Sequence, residues 1–280
     1  VLASFLVILR EGFEATLLVA ILLAYMAKMG RRRGARTVWA GVVAAAVLSL
    51  GVGAALFATA SGLGGKPGLI FKGVAMWVAV GFLTYMVLWM RRQSKTVAGD
   101  IRRSADEALE SGGLFALASL SFVMVFREGL ETALFMFSVT QTSTPVAVAA
   151  GGFAGLAGAI GLGYAVYVGG KRINLGLFFK VTGMLLLIVA AGLLARGVAM
   201  FEMAGLFPAI FYPLWDLTGV AILTSGSIIG QFLTAFVGWD PKPDLIEFSA
   251  WAVYLLAVGW LFLRTPESKK QDTSAAQTIG

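Results

Sequence analysis

Arg10-Glu11-Gly12-Phe13-Glu14 and Arg127-Glu128-Gly129-Leu130-Glu131 decide how this chain is read. Each sits inside a long apolar run, residues 1–27 and 114–139. A charge at the centre of a spanning helix costs roughly 2.5–3.5 kcal/mol on insertion scales. Two copies of one three-charge pattern are too costly to be incidental, and intramembrane ionisable residues read by default as a site or a pathway. On a helix, residues four apart lie ~40° apart around the axis and residues three apart ~60°. Arg10 therefore stacks with Glu14, with Glu11 beside it, and Arg127, Glu131 and Glu128 repeat the arrangement. The glycine at the third position lets a neighbouring backbone approach.

Working outward, composition fixes the class. Of 280 residues, 59% are hydrophobic and only 13% charged, with mean hydropathy +0.86; soluble domains carry about 25% charged residues. The chain reads as an all-α polytopic membrane protein forming one transmembrane domain over residues 1–280. Spans are expected near 1–27, 38–60, 69–90, 113–139, 146–168, 177–201 and 249–263, seven in all. A polar linker, 91–112, has a second half that reads as a surface helix. A long loop, 202–248, reads as lying outside the membrane with short interfacial helices, and a polar tail, 264–280, closes the chain. The first run reads as a transmembrane helix rather than a cleaved signal peptide. Its charges interrupt the apolar stretch, and the basic cluster follows it instead of preceding it.

There is no cysteine and no histidine. Within this chain that excludes disulfides, zinc–thiolate sites, iron–sulfur clusters and His-ligated haem. A metal handled here meets oxygen ligands, with ten Met thioethers as a soft alternative. The net charge of +7 is no nucleic-acid signal, because the basic residues lie in short loops. Those at 28–36, 91–103 and 171–172, with Arg264, Lys269 and Lys270 of the tail, fall on one side. Lys66, Lys72, Arg196 and Lys242 fall on the other. The positive-inside rule then puts the N-terminus outside and the C-terminus in the cytoplasm of a cell (plasma or inner) membrane.

The motif is not the only repeated feature. Ser4-Phe5 and Leu17 match Ser121-Phe122 and Leu134 at the same offset, Gly41, Gly51 and Gly53 match Gly151, Gly161 and Gly163, and Phe71-Lys72 echoes Phe179-Lys180. Residues 1–90 and 113–201 read as two three-span repeats. An odd number of spans inverts the second copy, the arrangement of secondary transporters whose sites lie near the midplane between repeats. Four carboxylates and two guanidiniums would then converge with a formal charge of −2, suited to a multivalent hard cation. Glu11, Glu14, Glu128 and Glu131 are the expected metal ligands; Arg10 and Arg127 are expected to neutralise and position them. A single Arg–Glu pair could equally be a structural ion pair, but two copies with a spare glutamate each favour a site. Glu202, Asp216 and Asp240 form a candidate outer acidic entrance. Asp106, Glu107 and Glu110 form a candidate cytoplasmic exit.

On these residues the chain resembles the oxidase-dependent iron permeases, whose signature is an Arg-Glu-x-x-Glu motif in the first and fourth of seven spans. The similarity extends to Gly238-Trp239-Asp240-Pro241-Lys242-Pro243 before the last span. It implies import of ferric iron, as substrate rather than cofactor, after oxidation by a separate partner outside the membrane, a ferroxidase, cupredoxin-like protein or peroxidase. The Asp-Ala-Ser motif of the fungal permease is absent here. The chain is expected to be a permease and not an enzyme. A transporter of another cation (lead, manganese, protons) and a membrane assembly subunit are the alternatives.

Overall fold

Apolar runs of this length can satisfy their backbone polar groups in lipid only as helices. The computed structural model describes residues 1–30, 32–93, 97–141, 143–168, 175–224 and 227–264. Among them all regular structure is helical: α1 (Leu2–Lys28), α2 (Arg32–Gly62), α3 (Gly65–Gln93), α4 (Val97–Thr140), α5 (Pro145–Tyr167), α6 (Leu175–Met203), α7 (Ile228–Val237) and α8 (Leu245–Arg264). The expected loop at Lys171 and Arg172, and the tail beyond Arg264, lie outside the described residues.

Among the described residues, six stretches are long and apolar enough to cross a membrane: Gly34–Gly62, Gly65–Met90, Gly112–Thr140, Pro145–Tyr167, Gly176–Met203 and Leu245–Arg264. The 27-residue α1 has the length, but Arg10, Glu11 and Glu14 set it apart from this group. Local signals match the boundaries. Pro145 opens α5 behind a Thr144 cap whose hydroxyl accepts from the Ala147 amide at 3.4 Å. Gly113, at φ 62° and ψ −137°, breaks α4 into an N-terminal piece and a membrane-length piece.

Two segments sit deeper than the sequence suggests. The second half of the 91–112 linker is expected as a surface helix, and the structure has helix from Val97 on. One of its faces instead buries Ile101 and Ala105 in a cluster with Leu17, Leu22, Met26 and Leu117. In the 202–248 stretch, α7 has ten residues, ~15 Å of helix, too short to cross ~30 Å of hydrocarbon. Ser227 caps its start, its hydroxyl accepting from the Gly230 amide at 2.8 Å, and Gly238 at φ 74° ends it. Gly238 then packs on the backbone of Gly192, ~16 Å down α6 from its end at Met203. The Trp251 indole donates to the Val237 carbonyl at 2.7 Å and ties this turn to α8.

The helices pair in a pattern that survives exchanging α1–α3 with α4–α6. The most extensive contacts are α1 with α5, α2 with α4, and α3 with α6, while α1 also faces α4. Individual glycines follow the exchange. A Cβ on Gly151 would lie 2.1 Å from the Val1 carbonyl oxygen and 2.2 Å from the Ser4 hydroxyl. On Gly41 it would lie 2.4 Å from the Ala118 carbonyl and 2.3 Å from the Ser121 hydroxyl. Gly163 meets Thr16 and Gly53 meets Ala133, whereas Gly51 and Gly161 both face open space. Within the motifs, Gly12 packs on Ala159 and Gly129 on Ser49. The spare room at these glycines is therefore what lets α1 and α4 lie close to α5 and α2.

The contrast is testable by thermal unfolding in detergent. Gly41→Ala and Gly151→Ala should each destabilise by about 1–3 kcal/mol, because the methyl meets backbone that cannot yield. Gly51→Ala and Gly161→Ala should stabilise by about 0.5–1 kcal/mol, since the helix gains propensity at no steric cost. Equal stability across the four variants would contradict the packing.

Candidate metal centre

Buried clusters show how α1 and α4 run relative to each other. Ala3, Leu6 and Val7 at the start of α1 share one cluster with Phe135 and Val139 at the end of α4. Leu17, Leu22 and Met26 at the end of α1 share another with Leu117 near the start of the membrane-length part of α4. The helices are antiparallel, and the two motifs meet between those clusters.

There the expected glutamates converge. One carboxylate oxygen from each of Glu11, Glu128 and Glu131 lies within 4.8 Å of the others, and all three residues are buried. Glu14 is held aside: the Arg10 Nε donates to its Oε1 at 3.1 Å. The Arg127 Nε donates to Glu131 Oε1 at 3.0 Å and lies 3.8 Å from Glu128 Oε1. Each arginine thus hydrogen-bonds the glutamate four residues on, and neither hydrogen-bonds Glu11 or Glu128. Both oxygens of Glu11 are buried without a hydrogen-bond donor, as are Oε2 of Glu128 and Oε2 of Glu131. Burying one unpaired carboxylate costs several kcal/mol. Carboxylates this close repel one another unless a positive species lies among them. The donor set is all oxygen, which suits a hard cation.

The two arginines differ in their surroundings. The Arg10 side chain is 0% exposed and its Nη1 and Nη2 have no hydrogen-bond partner, whereas the Arg127 side chain is 46% exposed. Arg127 borders a cavity of 290 Å³ and sits 5.4 Å from the Trp89 ring centroid, a cation–π distance. The cavity lies on the side of the 97–112 helix. Val123, Met124 and Leu18 line it, while their repeat counterparts around Arg10, namely Leu6, Val7 and Phe135, are packed in the core. The motif is open on one side and sealed on the other.

Of the outer candidates, Asp216 and Asp240 are engaged by neighbouring groups and Glu202 only in part. Asp216 takes the Lys242 ammonium at 2.8 Å and the Thr218 hydroxyl at 2.6 Å, and these contacts hold its carboxyl down at about 2. Asp240 lies 3.6 Å from Arg196 and accepts the Lys242 amide at 2.8 Å. Glu202 keeps one buried oxygen, Oε1, without a hydrogen-bond partner. Asp240 also lines a 240 Å³ cavity with Arg196, Glu247, Trp215, Trp239 and Trp251.

On the opposite side, Asp106 accepts the Tyr25 hydroxyl, Glu107 forms an exposed 2.9 Å pair with Arg103, and Glu110 is exposed. None of the three lines the inner cavity. Asp100 and Ser104 do, and the sequence reading passed over both. The signal was there as helical period: Ile101 and Ala105 form the buried stripe, and Asp100 and Ser104 share the adjacent one. Trp89 is likewise a neighbour of Arg127 that the motif spacing does not single out.

Residues 1–266 match the model of the iron permease FTR1 family. The chain is 38% identical over 274 residues to the ferrous iron permease EfeU of Yersinia pestis, covering 97% of this chain and 96% of that one. It is 36% identical over 266 residues to the ferrous iron permease EfeU of Escherichia coli O6:H1, covering 94% and 96%. No solved structure matches. Antiparallel motif helices, an all-oxygen cluster of buried glutamates and near full-length similarity agree, and the chain belongs to the iron permease FTR1 family.

Proposed function

We propose that this permease imports iron through the carboxylate cluster between α1 and α4. Glu11, Glu128 and Glu131 hold the ion, Glu14 joins them by leaving Arg10, and Arg10 and Arg127 neutralise the glutamates between passages. The observation that carries the reading is the buried carboxylate cluster: Glu11 is fully buried, with neither oxygen bonded to a donor, against two further carboxylates. A ferric ion takes four carboxylates and two guanidiniums from a formal −2 to +1; a ferrous ion takes them to 0. The relatives are named for ferrous iron. The hard, all-oxygen donor set favours the ferric ion at the site itself, and the reading therefore includes an oxidising partner outside the membrane.

In this reading α1 is a seventh span despite its charges, since its length and its place against α4 and α5 match those of a crossing helix. The exchange-symmetric pairing of helices and glycines supports an inverted 3+3 repeat, with α8 added. The excess of Lys and Arg near the 97–112 helix supports a cytoplasmic position for that side. The cavity beside Arg127 then makes this an inward-facing arrangement. In the outward-facing one, opening the Leu6–Val7–Phe135 wall would expose Arg10 as Arg127 is exposed here. Of the outer acids, Asp240 has the best position for an entrance because it lines the outer cavity.

Two substitutions separate a transport site from a structural ion pair. Glu11→Gln removes surplus charge, so it should raise the thermal stability of the iron-free protein while cutting radioactive iron uptake by at least about tenfold. Glu14→Gln strips a fully buried arginine of its partner and should destabilise by about 3–5 kcal/mol. A Glu11→Gln protein that is less stable and still transports would contradict the proposal. To settle the redox state, uptake is compared with iron held reduced by ascorbate and with a ferroxidase supplied. Faster uptake on oxidation is expected, and uptake confined to the reduced ion would contradict the ferric assignment.

A further inference from the structure

We infer that the 290 Å³ cavity beside the motif is a second cation station, in which Asp100 and Ser104 receive the ion as it leaves. This rests on the reading of the motif as an iron site. Glu128 is the link. It belongs to the buried triad with Glu11 and Glu131, and it also lines the cavity, with its Oε2 buried and lacking a hydrogen-bond donor. One carboxylate therefore faces both chambers, and an ion can pass along it without losing every ligand at once.

The far wall is built rather than incidental. Gly113 turns the 97–112 helix under the bundle, Ile101 and Ala105 anchor it in the core, and the Tyr25 hydroxyl holds Asp106. With those residues fixed, helical geometry aims Asp100 and Ser104, four residues apart, at the cavity. The volume admits several waters, at about 30 Å³ each. A cation there would be held by Asp100 and Glu128, the Ser104 hydroxyl and water, with Glu14 also on the wall and hydrogen-bonded to Arg10. That is a weaker set than the dry triad, and conduction requires such a site, strong enough to accept the ion and loose enough to release it. Arg127 stands between the two chambers, against Glu131 on one side and the Trp89 ring on the other. As the ion arrives, its guanidinium can shift toward the ring, where cation–π attraction offsets part of the lost pairing.

The absence of cysteine makes the test direct. In full-length protein in inside-out vesicles, Ser104→Cys should react with a membrane-impermeant thiol reagent, and gallium(III), a redox-inert trivalent probe, should slow the reaction. Adding Asp100→Asn should remove that protection. In the otherwise native chain, Asp100→Asn should lower the maximal rate of iron uptake by at least about fivefold with little change in KM, and Asp100→Glu should restore part of it. Gallium(III) binding that depends on Glu11 should persist in Asp100→Asn. Unchanged uptake in Asp100→Asn, or gallium-insensitive labelling of Ser104→Cys, overturns the second station and leaves the motif site standing. Loss of Glu11-dependent gallium binding in Asp100→Asn also overturns it, by making Asp100 part of the first site. If Glu11→Gln transports normally, the motif reading fails by a separate result.

Discussion

A group of buried carboxylates between two antiparallel helices governs this molecule. Glu11, Glu128 and Glu131 crowd together out of solvent, and ionising all of them there is expensive without a cation among them. Arg10 and Arg127 offset only part of that cost, because each hydrogen-bonds through its Nε the glutamate one turn on. A fold optimised for stability alone would fill this place with apolar side chains, which commonly match or exceed a buried ion pair in stability. Retaining the charge makes sense where a cation must visit.

The scaffold brings that charge together with very small side chains. Gly12 and Gly129, inside the motifs, seat α1 on Ala159 and α4 on Ser49. Gly151 and Gly41 do the same toward the helix starts, against the carbonyls of Val1 and Ala118. In a membrane, where lipid solvates apolar side chains as well as protein does, close backbone contact is a main source of helix association. The glutamates thus hold their positions because helices that carry no charge near the site clamp the two that do.

Much of this was legible in the sequence. The doubled motif, its i,i+4 pairing and the matched glycines at 41, 53, 151 and 163 all correspond to contacts in the structure. Gly51 and Gly161 matched each other too, but as open positions, and spacing alone cannot separate a packing glycine from a lipid-facing one. Depth was also hidden. The 97–112 helix read as surface because half its residues are polar, yet Ile101 and Ala105 are enough to sink one face. The α7 turn read as interfacial because Pro and Gly interrupt it, while its docking depends on Gly238 meeting Gly192, a long-range pairing with no local signal. The difference between Arg10 and Arg127 could not be read at all, since their motifs are equivalent in sequence and differ only in which wall is closed.

The most direct measurement is the location of the ion. Crystals of the protein loaded with iron, examined by anomalous scattering at the iron edge, should show a peak bonded to oxygens of Glu11, Glu128 and Glu131. A peak at a site that excludes those three, or glutamates that stay paired only with Arg10 and Arg127 at saturating iron, would contradict the account.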